Sequence, residues 1–413
     1  MPRARTLGAR APLLGRIAAD HEVAARLVAD SRDVLDERPG ASGIAPRALT
    51  GRGWDSFLLS LDGDELAGIE SRGHAARWPE RTPTSLRALV ERAAAVCAIP
   101  AFPASDDSPG SPRRGETPRK RAQVDAFGRL VGSLAAGARR VVDVGSGHGH
   151  LTRAIAGGTG LPVVGLERDA TLARRARALS PARSPAFAVT DVLRDGLSVS
   201  TGDCVIGLHA CGELGDVMVT SVAPVPGVTL ALVGCCLQKR RQTTRAPLCA
   251  VAGVDDRLAL PRALLGLSNL AASDEGVEAS RAANLAGRER RLALHRLLSN
   301  AGEPLRFGAE IEGLNRRVAQ RDLSQLVARA FALRGRPPPS PKSIDEAALW
   351  ARGEHARARR LSLPRAMLAR VLEVYVLLDR AAFLRAHGFS VEVGTLFPAT
   401  ISARNLALLA RPG

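Results

Sequence analysis

The sequence predicts an α/β protein: a Rossmann-like, mostly parallel seven-stranded sheet, preceded by a helical domain and interrupted by a helical insertion before its last two strands. Three observations predict it. From about residue 124, short apolar runs alternate with helical stretches, the signature of a parallel sheet covered by helices. The first of those runs ends in a turn with three glycines at alternate positions, VVDVGSGHGHL over 141–151. The chain closes on two more apolar runs, GFSVEVGTLF and ISARNLALLA, with a short connection that suits a hairpin.

The elements follow in order. Residues 1–102 read as a helical domain, because RIAADHEVAARLVADSRDVL and TSLRALVERAAAVCAI carry apolar residues at three- and four-residue spacing. Between them Trp54, Phe57, Leu58 and Leu61 form an expected packing face. Residues 103–123 read as a linker, rich in Pro, Ser, Gly and charge at its start. The core, 124–236, gives strands at RRVVDVG, LPVVGLER, AFAVTDVL, GDCVIGLHACG and GVTLALVGCC, with HLTRAIAG and ATLARRARALS as helices after the first two. Residues 237–375 read as a helical, Arg-rich insertion, and 376–413 supply the last two strands.

Composition narrows the class of partner. At 413 residues, the chain calls for two domains or one with a large insertion. Its 46% hydrophobic and 24% charged residues are those of an ordinary soluble globular protein. No apolar run approaches the ~20 residues that span a bilayer, so no membrane partner is expected. The Arg-rich start superficially resembles an organelle transit peptide, but the blander reading, a disordered basic start, is favoured. The net charge of +17 invites a polyanionic partner. Lysine, however, occurs only at 120, 239 and 342, so nearly all the cationic residues are arginine, a skew that GC-rich coding also produces. Aromatic residues, the stacking platforms for single-stranded nucleic acid, make up only 3%. The six cysteines show no secreted framework, which fits a reducing, cytoplasmic setting.

A Gly-rich turn after a buried strand lets the backbone approach a ligand. A dinucleotide fold wants G-x-G-x-x-G. Here Gly145, Ser146, Gly147, His148 and Gly149 give G-x-G-x-G, and His150 stands where the last dinucleotide glycine would be. A nicotinamide-dependent dehydrogenase is therefore disfavoured. G-x-G-x-G is the pattern of S-adenosylmethionine-dependent methyltransferases of the seven-stranded class, and successive strand ends add three acids in register. Glu167 ends the second strand, where a carboxylate can accept both ribose hydroxyls. Asp191 ends the third, within reach of the adenine amino group, though a helix cap is its bland alternative. Asp143, on the first strand, can anchor the ligand's ammonium. Leu208, at the end of the fourth strand, completes the expected cofactor set.

VVDVGSGHGHLTR, GLHACGELGDVMV, VGCC, LPRALLGLSNLA and LFPATISARNLALLA together resemble the methyltransferase-like protein 25 family, also called ribosomal RNA adenine dimethylase domain-containing proteins. WDSFLLSLDGDELAGIE and TPRKRAQV extend the resemblance over nearly the whole chain. It implies S-adenosylmethionine as the cofactor, bound by Asp143, Gly145, Gly147, Gly149 and Glu167, with LHACG (208–212) and GCC (234–236) lining the substrate side. The sequence departs from the family where Lys120 and Arg121 are followed by Ala122 and Gln123 in place of a His-Glu pair. It departs again where Leu237 and Gln238 follow the vicinal cysteines.

The fourth strand argues against the chemistry in that family name. Adenine dimethylases carry an Asn-Leu/Ile-Pro-aromatic tetrapeptide there, whereas Leu208-His209-Ala210-Cys211-Gly212 offers no Asn, proline or aromatic ring. Methyl transfer needs an aligned nucleophile and, for a protonated acceptor, a base. His209 and Cys211 are the candidate catalytic residues, His209 as the base. The bland reading of His209 is a buried ring satisfied by a backbone carbonyl. Cys211, Cys235, Cys236 and His209 make a conceivable zinc set, but no C-x-x-C occurs and adjacent cysteines seldom share a metal, so no metal is expected. Arg288, Arg290, Arg291, Arg316 and Arg317 of the insertion could form a basic face toward RNA or a ribosomal component; a protein substrate is the second choice. The sequence thus predicts an S-adenosylmethionine-dependent methyltransferase. The rival is a non-catalytic scaffold of the same fold, acting in a ribonucleoprotein or protein assembly. Oligomeric state is left open.

Overall fold

The computed structural model describes residues 13–39, 44–103, 115–180, 185–269, 278–303, 308–314 and 322–413. Arg316, Arg317, the first twelve residues and most of the Pro/Ser-rich stretch after residue 103 lie outside them. The chain divides into two compact units, each assembled from separate stretches. The first comprises Met1–Arg32, Glu91–Glu275 and Met367–Gly413, and the second Asp33–Val90 and Gly276–Ala366. Residues 1–102, a single helical domain in the sequence reading, therefore contribute to both.

The first unit carries the sheet. Its strands are β1 (Arg140–Val144), β2 (Val163–Glu167), β3 (Ala186–Val189), β4 (Asp203–Ala210), β5 (Thr229–Gly234), β8 (Phe389–Thr395) and β9 (Leu406–Pro412); β6 (Thr244–Arg245) and β7 (Leu260–Pro261) form a separate two-stranded pair. The order is β3-β2-β1-β4-β5-β9-β8, parallel through β5 and antiparallel at β9 and β8, as the apolar runs and the terminal hairpin predict. The chain winds outward in opposite directions from β1 and β4, so the crevice at their carboxyl ends is the topological switch point, where open α/β sheets bind ligands.

The helix Pro118–Leu134 begins within the stretch read as linker. Thr117 caps it by accepting from the Lys120 amide, and Pro118 starts it, where a missing N–H costs nothing. Val124, Phe127, Val131 and Leu134 recur at helical spacing and bury themselves with Val141, Cys204, Ile206 and Ala231 of the sheet. Each such side chain contributes about 1.5–3 kcal/mol on leaving water. This face fixes the helix, whose first turn holds Arg119 and Lys120.

A charge network is also buried in this unit. Asp216, on the helix Glu213–Val222, is bonded by Arg240 Nη1 at 2.7 Å, Arg380 Nε at 2.9 Å, and Arg245 Nε and Nη2 at 3.2 Å each. Arg245 Nη2 also donates to Asp379 at 2.6 Å, and Asp379 accepts the amides of Leu248 and Cys249. The second Arg380 amino group donates to the Gly212 carbonyl at 2.8 Å. These bonds tie the chain after β5 to the helix Pro341–Ala386.

The second unit is helical. Trp54 is fully buried and donates from Nε1 to Ser85 Oγ at 2.8 Å, while Asp62 and Glu65 form a capping box for the helix Gly63–Arg72. Leu294, Leu298, Leu326, Val327 and Phe331 share one apolar cluster. Arg359 makes a two-pronged pair with Glu70 at 2.9 and 2.6 Å. Of the insertion arginines, Arg291 pairs with buried Glu310.

Candidate active site

The turn after β1 is built by three glycines in left-handed conformation, Gly145 (φ 75°), Gly147 (φ 56°) and Gly149 (φ 70°). They serve different ends. A Cβ on Gly149 would lie 2.5 Å from the Phe187 ring, so this glycine is needed for packing against β3. A Cβ on Gly147 would meet no atom within 4 Å, leaving a cradle open for a ligand. Gly165 of β2 is a further packing glycine, whose Cβ would sit 2.8 Å from both Phe187 and Ser146 Oγ. Gly145 and Ser146 donate their amides to the Leu166 carbonyl, which fastens the turn to β2.

Glu167 ends β2 and is 9% exposed. One carboxylate oxygen accepts the Gly147 amide and the other the Asp169 amide, both at 2.9 Å. It therefore holds the open cradle in shape, and each oxygen keeps a lone pair beyond the bond shown. Asp143 lies inside β1, 2% exposed, and accepts from Thr152 Oγ1 at 2.7 Å. Burial pushes its carboxyl up to about 6, against the opposing pull of Thr152 and the Lys120 ammonium. Asp191 stands beyond the end of β3, caps Val192–Asp195 by accepting the Leu193 amide at 3.2 Å, and lies 3.4 Å from Arg241. Its side chain thus makes the cap contact weighed from the sequence, through Oδ1.

Leu208 sits in β4 opposite Val233, half-buried against the sheet core. Immediately after it the register shifts, and His209 has φ 68°, the left-handed region that a non-glycine residue adopts only at a cost. Among the described residues no other non-glycine residue does so. His209 Nε2 and Gln123 Oε1 lie 3.1 Å apart, a contact in which Nε2 donates when it carries the ring proton. Nδ1 is buried without a hydrogen-bond partner. Burial, then the charges of Lys120, Arg404 and Arg119, lowers the imidazole to about 4, so it is neutral at neutral pH. The bland reading, a ring satisfied by a backbone carbonyl, does not describe it.

Cys211 and Cys235 meet at an Sγ–Sγ distance of 2.6 Å, and both lie 3.3 Å from the His209 carbonyl oxygen. The sulfurs of Cys211, Cys235 and Cys236 all fall within 4.8 Å of one another. Cys236 is contacted by Arg404 Nη1 at 2.5 Å, and Arg404 Nη2 donates to Asn269 at 2.8 Å. Gln123, Lys120 and Arg404 were not singled out as site residues from the sequence. Their signal lay in TPRKRAQV and ISARNLALLA, two segments far apart in the chain that the fold brings to the ends of β4 and β5.

Glycine turn, strand-end carboxylate and buried aspartate thus meet at the switch point of the sheet, where open α/β folds bind their ligands. Residues 119–243 match the family model described as a methyltransferase domain. This stretch is similar to a methyltransferase domain, and it contains every site residue above except Asn269 and Arg404. Similar solved structures include the TehB-like methyltransferase of Corynebacterium glutamicum, with 15% identity over 26% of this chain and 60% of that one, TM-score 0.23. The magnesium protoporphyrin IX methyltransferase of Synechocystis, with S-adenosylhomocysteine bound, has 20% identity over 29% and 60%, TM-score 0.22. A sugar N-methyltransferase of a Streptoalloteichus species has 21% identity over 33% and 59%, TM-score 0.24. The chain spans about 60% of the length of these structures. Among the described residues, no helix is long and apolar enough to cross a membrane.

Proposed function

We propose that the chain is an S-adenosylmethionine-dependent methyltransferase acting on RNA or a ribosome-associated group, related to the methyltransferase-like protein 25 family. The observation that carries the first part is the open cradle at Gly147, held by Glu167 beside buried Asp143 at the switch point. When bound there, the donor supplies an electrophilic methyl group on a sulfonium. Gly145 and Gly147 admit its methionine portion, Glu167 takes the ribose hydroxyls, and Asp143 holds the ammonium. Asp191 remains the candidate for the adenine edge once the Leu193 amide shares it.

On the acceptor side, His209 Nδ1 is a buried nitrogen with no hydrogen-bond partner, and Nε2 faces Gln123 Oε1. It accepts a hydrogen bond from the acceptor's N–H or O–H and so aims the reacting lone pair at the methyl group. The charges of Lys120, Arg404 and Arg119 act on this ring, which favours an anionic acceptor such as RNA over a basic protein side chain. A screen with labelled S-adenosylmethionine tests the proposal: label should enter an RNA or ribosomal fraction, and the transfer should weaken with added salt. Label confined to a non-ribosomal protein would reject the RNA acceptor. Donor binding without transfer to any fraction would favour the scaffold reading.

A further inference from the structure

The methyl-transfer reading gives no task to the thiols gathered at the ends of β4 and β5. Cys211 follows the last residue of β4 and Cys235 the last residue of β5. Because β5 ends at Gly234, Cys235 and Cys236 are released from strand alternation and can face the same side. Cys211 is partly exposed and Cys235 is buried behind it. The contact with Cys235, with Lys239 and Arg404 nearby, lowers the Cys211 thiol, while the same contact and burial push Cys235 up. The two sulfurs face each other at 2.6 Å, and Cys211 is the more exposed of the pair, so a solvent-borne oxidant reaches it first. That is the division of labour between an attacking and a resolving cysteine. Cys97, Cys204 and Cys249 lack it: burial, with nearby carboxylates, raises Cys97 to about 12, and Cys204 and Cys249 to about 11.

We propose that Cys211 and Cys235 form a thiol-oxidation site at which hydrogen peroxide closes a disulfide between the ends of β4 and β5. The Cys211 thiolate attacks one peroxide oxygen; the O–O bond breaks, hydroxide leaves and takes up a proton, and Cys211 becomes a sulfenic acid. Cys235 then attacks that sulfur, the S–S bond forms, and the sulfenic oxygen departs as water with the Cys235 proton. Two thiols are oxidised by two electrons, and one peroxide is reduced to two waters.

The disulfide has a structural consequence at the site. Both thiols lie within hydrogen-bonding distance of the His209 carbonyl, the anchor of the strained residue that presents Nδ1. The disulfide leaves no S–H to donate there, so the left-handed turn loses the Cys235 donor and the histidine its aim. This consequence for turnover rests on the methyltransferase reading; formation of the disulfide does not.

The test treats the reduced full chain with one equivalent of hydrogen peroxide, alkylates the remaining thiols, and maps the peptides by mass spectrometry. A Cys211–Cys235 cross-link is expected, with Cys97, Cys204 and Cys249 recovered as thiols after denaturation. Cys211→Ser is expected to slow consumption of peroxide about tenfold or more, because the attacking thiolate is gone. Cys97→Ser is the matched control and leaves the rate unchanged. A cross-link through Cys236 instead, over-oxidation of Cys211 without any bridge, or an equivalent of zinc that copurifies and shields the thiols would overturn the proposal. S-adenosylmethionine binding to the reduced protein, measured in parallel, separates a failure here from a failure of the methyltransferase reading.

Discussion

Replacing Asp216 with Asn removes the negative centre on which three buried guanidinium groups converge. Asp216 is 7% exposed, and the side chains of Arg240, Arg245 and Arg380 are 5%, 1% and 3% exposed. Arg245 keeps Asp379 and Arg380 keeps the Gly212 carbonyl, but the Arg240 guanidinium loses its carboxylate partner inside the protein. Breaking a buried ion pair from one side costs about 3–5 kcal/mol, a large fraction of the about 5–15 kcal/mol that holds a domain together. Urea unfolding followed by circular dichroism measures the loss, with Glu22→Ala as control. Glu22 pairs with Arg26 on the surface, where such bonds contribute under about 1 kcal/mol. The pH dependence has a definite sign. Burial would raise the Asp216 pKa, yet Arg380, Arg245 and Arg240 overcome it and hold the carboxyl well below the usual range. A depressed native pKa stabilises above the unfolded value of about 4 and loses that contribution as pH falls below it. The gap between wild type and variant is therefore constant from neutral to mildly acid pH and narrows below about 4. A loss under about 1 kcal/mol at neutral pH would refute the reasoning, since it would mean the arginines are satisfied without Asp216.

Other substitutions separate the roles assigned around the cradle. Gly149→Ala forces an alanine into φ 70° against the Phe187 ring, so it should destabilise by more than the ~1–2 kcal/mol of left-handed strain, read by thermal unfolding. Gly147→Ala bears similar strain without that clash; its main loss should be donor affinity, read by calorimetry. Because the Asp143 carboxyl titrates at about 6 and the ligand's ammonium favours its ionised form, donor affinity should fall as pH drops below about 6. Asp143→Asn should flatten that profile. His209, lowered to about 4, should leave turnover free of a histidine titration between pH 6 and 8, whereas His209→Asn should lower kcat across that range.

The strands were legible because parallel strands buried on both faces are written as unbroken apolar runs, as in Val141–Val142 and Leu230–Val233. The glycine turn was legible by its spacing, but the spacing did not separate Gly147, which faces open space, from Gly149, which accommodates Phe187 from another strand. Contacts between distant segments leave no local pattern. Gln123 reaches His209 across 86 residues and Arg380 reaches Asp216 across 164, so the first looked like linker and the second like one more arginine on a helix. Asp191 shows the opposite case: a side chain with two sound readings, of which the cap was legible from its own place beside Val192–Asp195. Division of the chain into units was hidden for the same reason, because residues 33–90 group with 276–366 rather than with their sequence neighbours.

The most direct test of the central claim is a calorimetric titration of the purified chain with S-adenosylmethionine, beside an Asp143→Ala, Glu167→Ala variant shown to be folded by circular dichroism. The account predicts saturable one-site binding to the wild type. Two charge-assisted partners contribute about 3 kcal/mol or more together, so the variant should bind at least about a hundredfold more weakly. Equal binding by both proteins, or no heat with either, would contradict it.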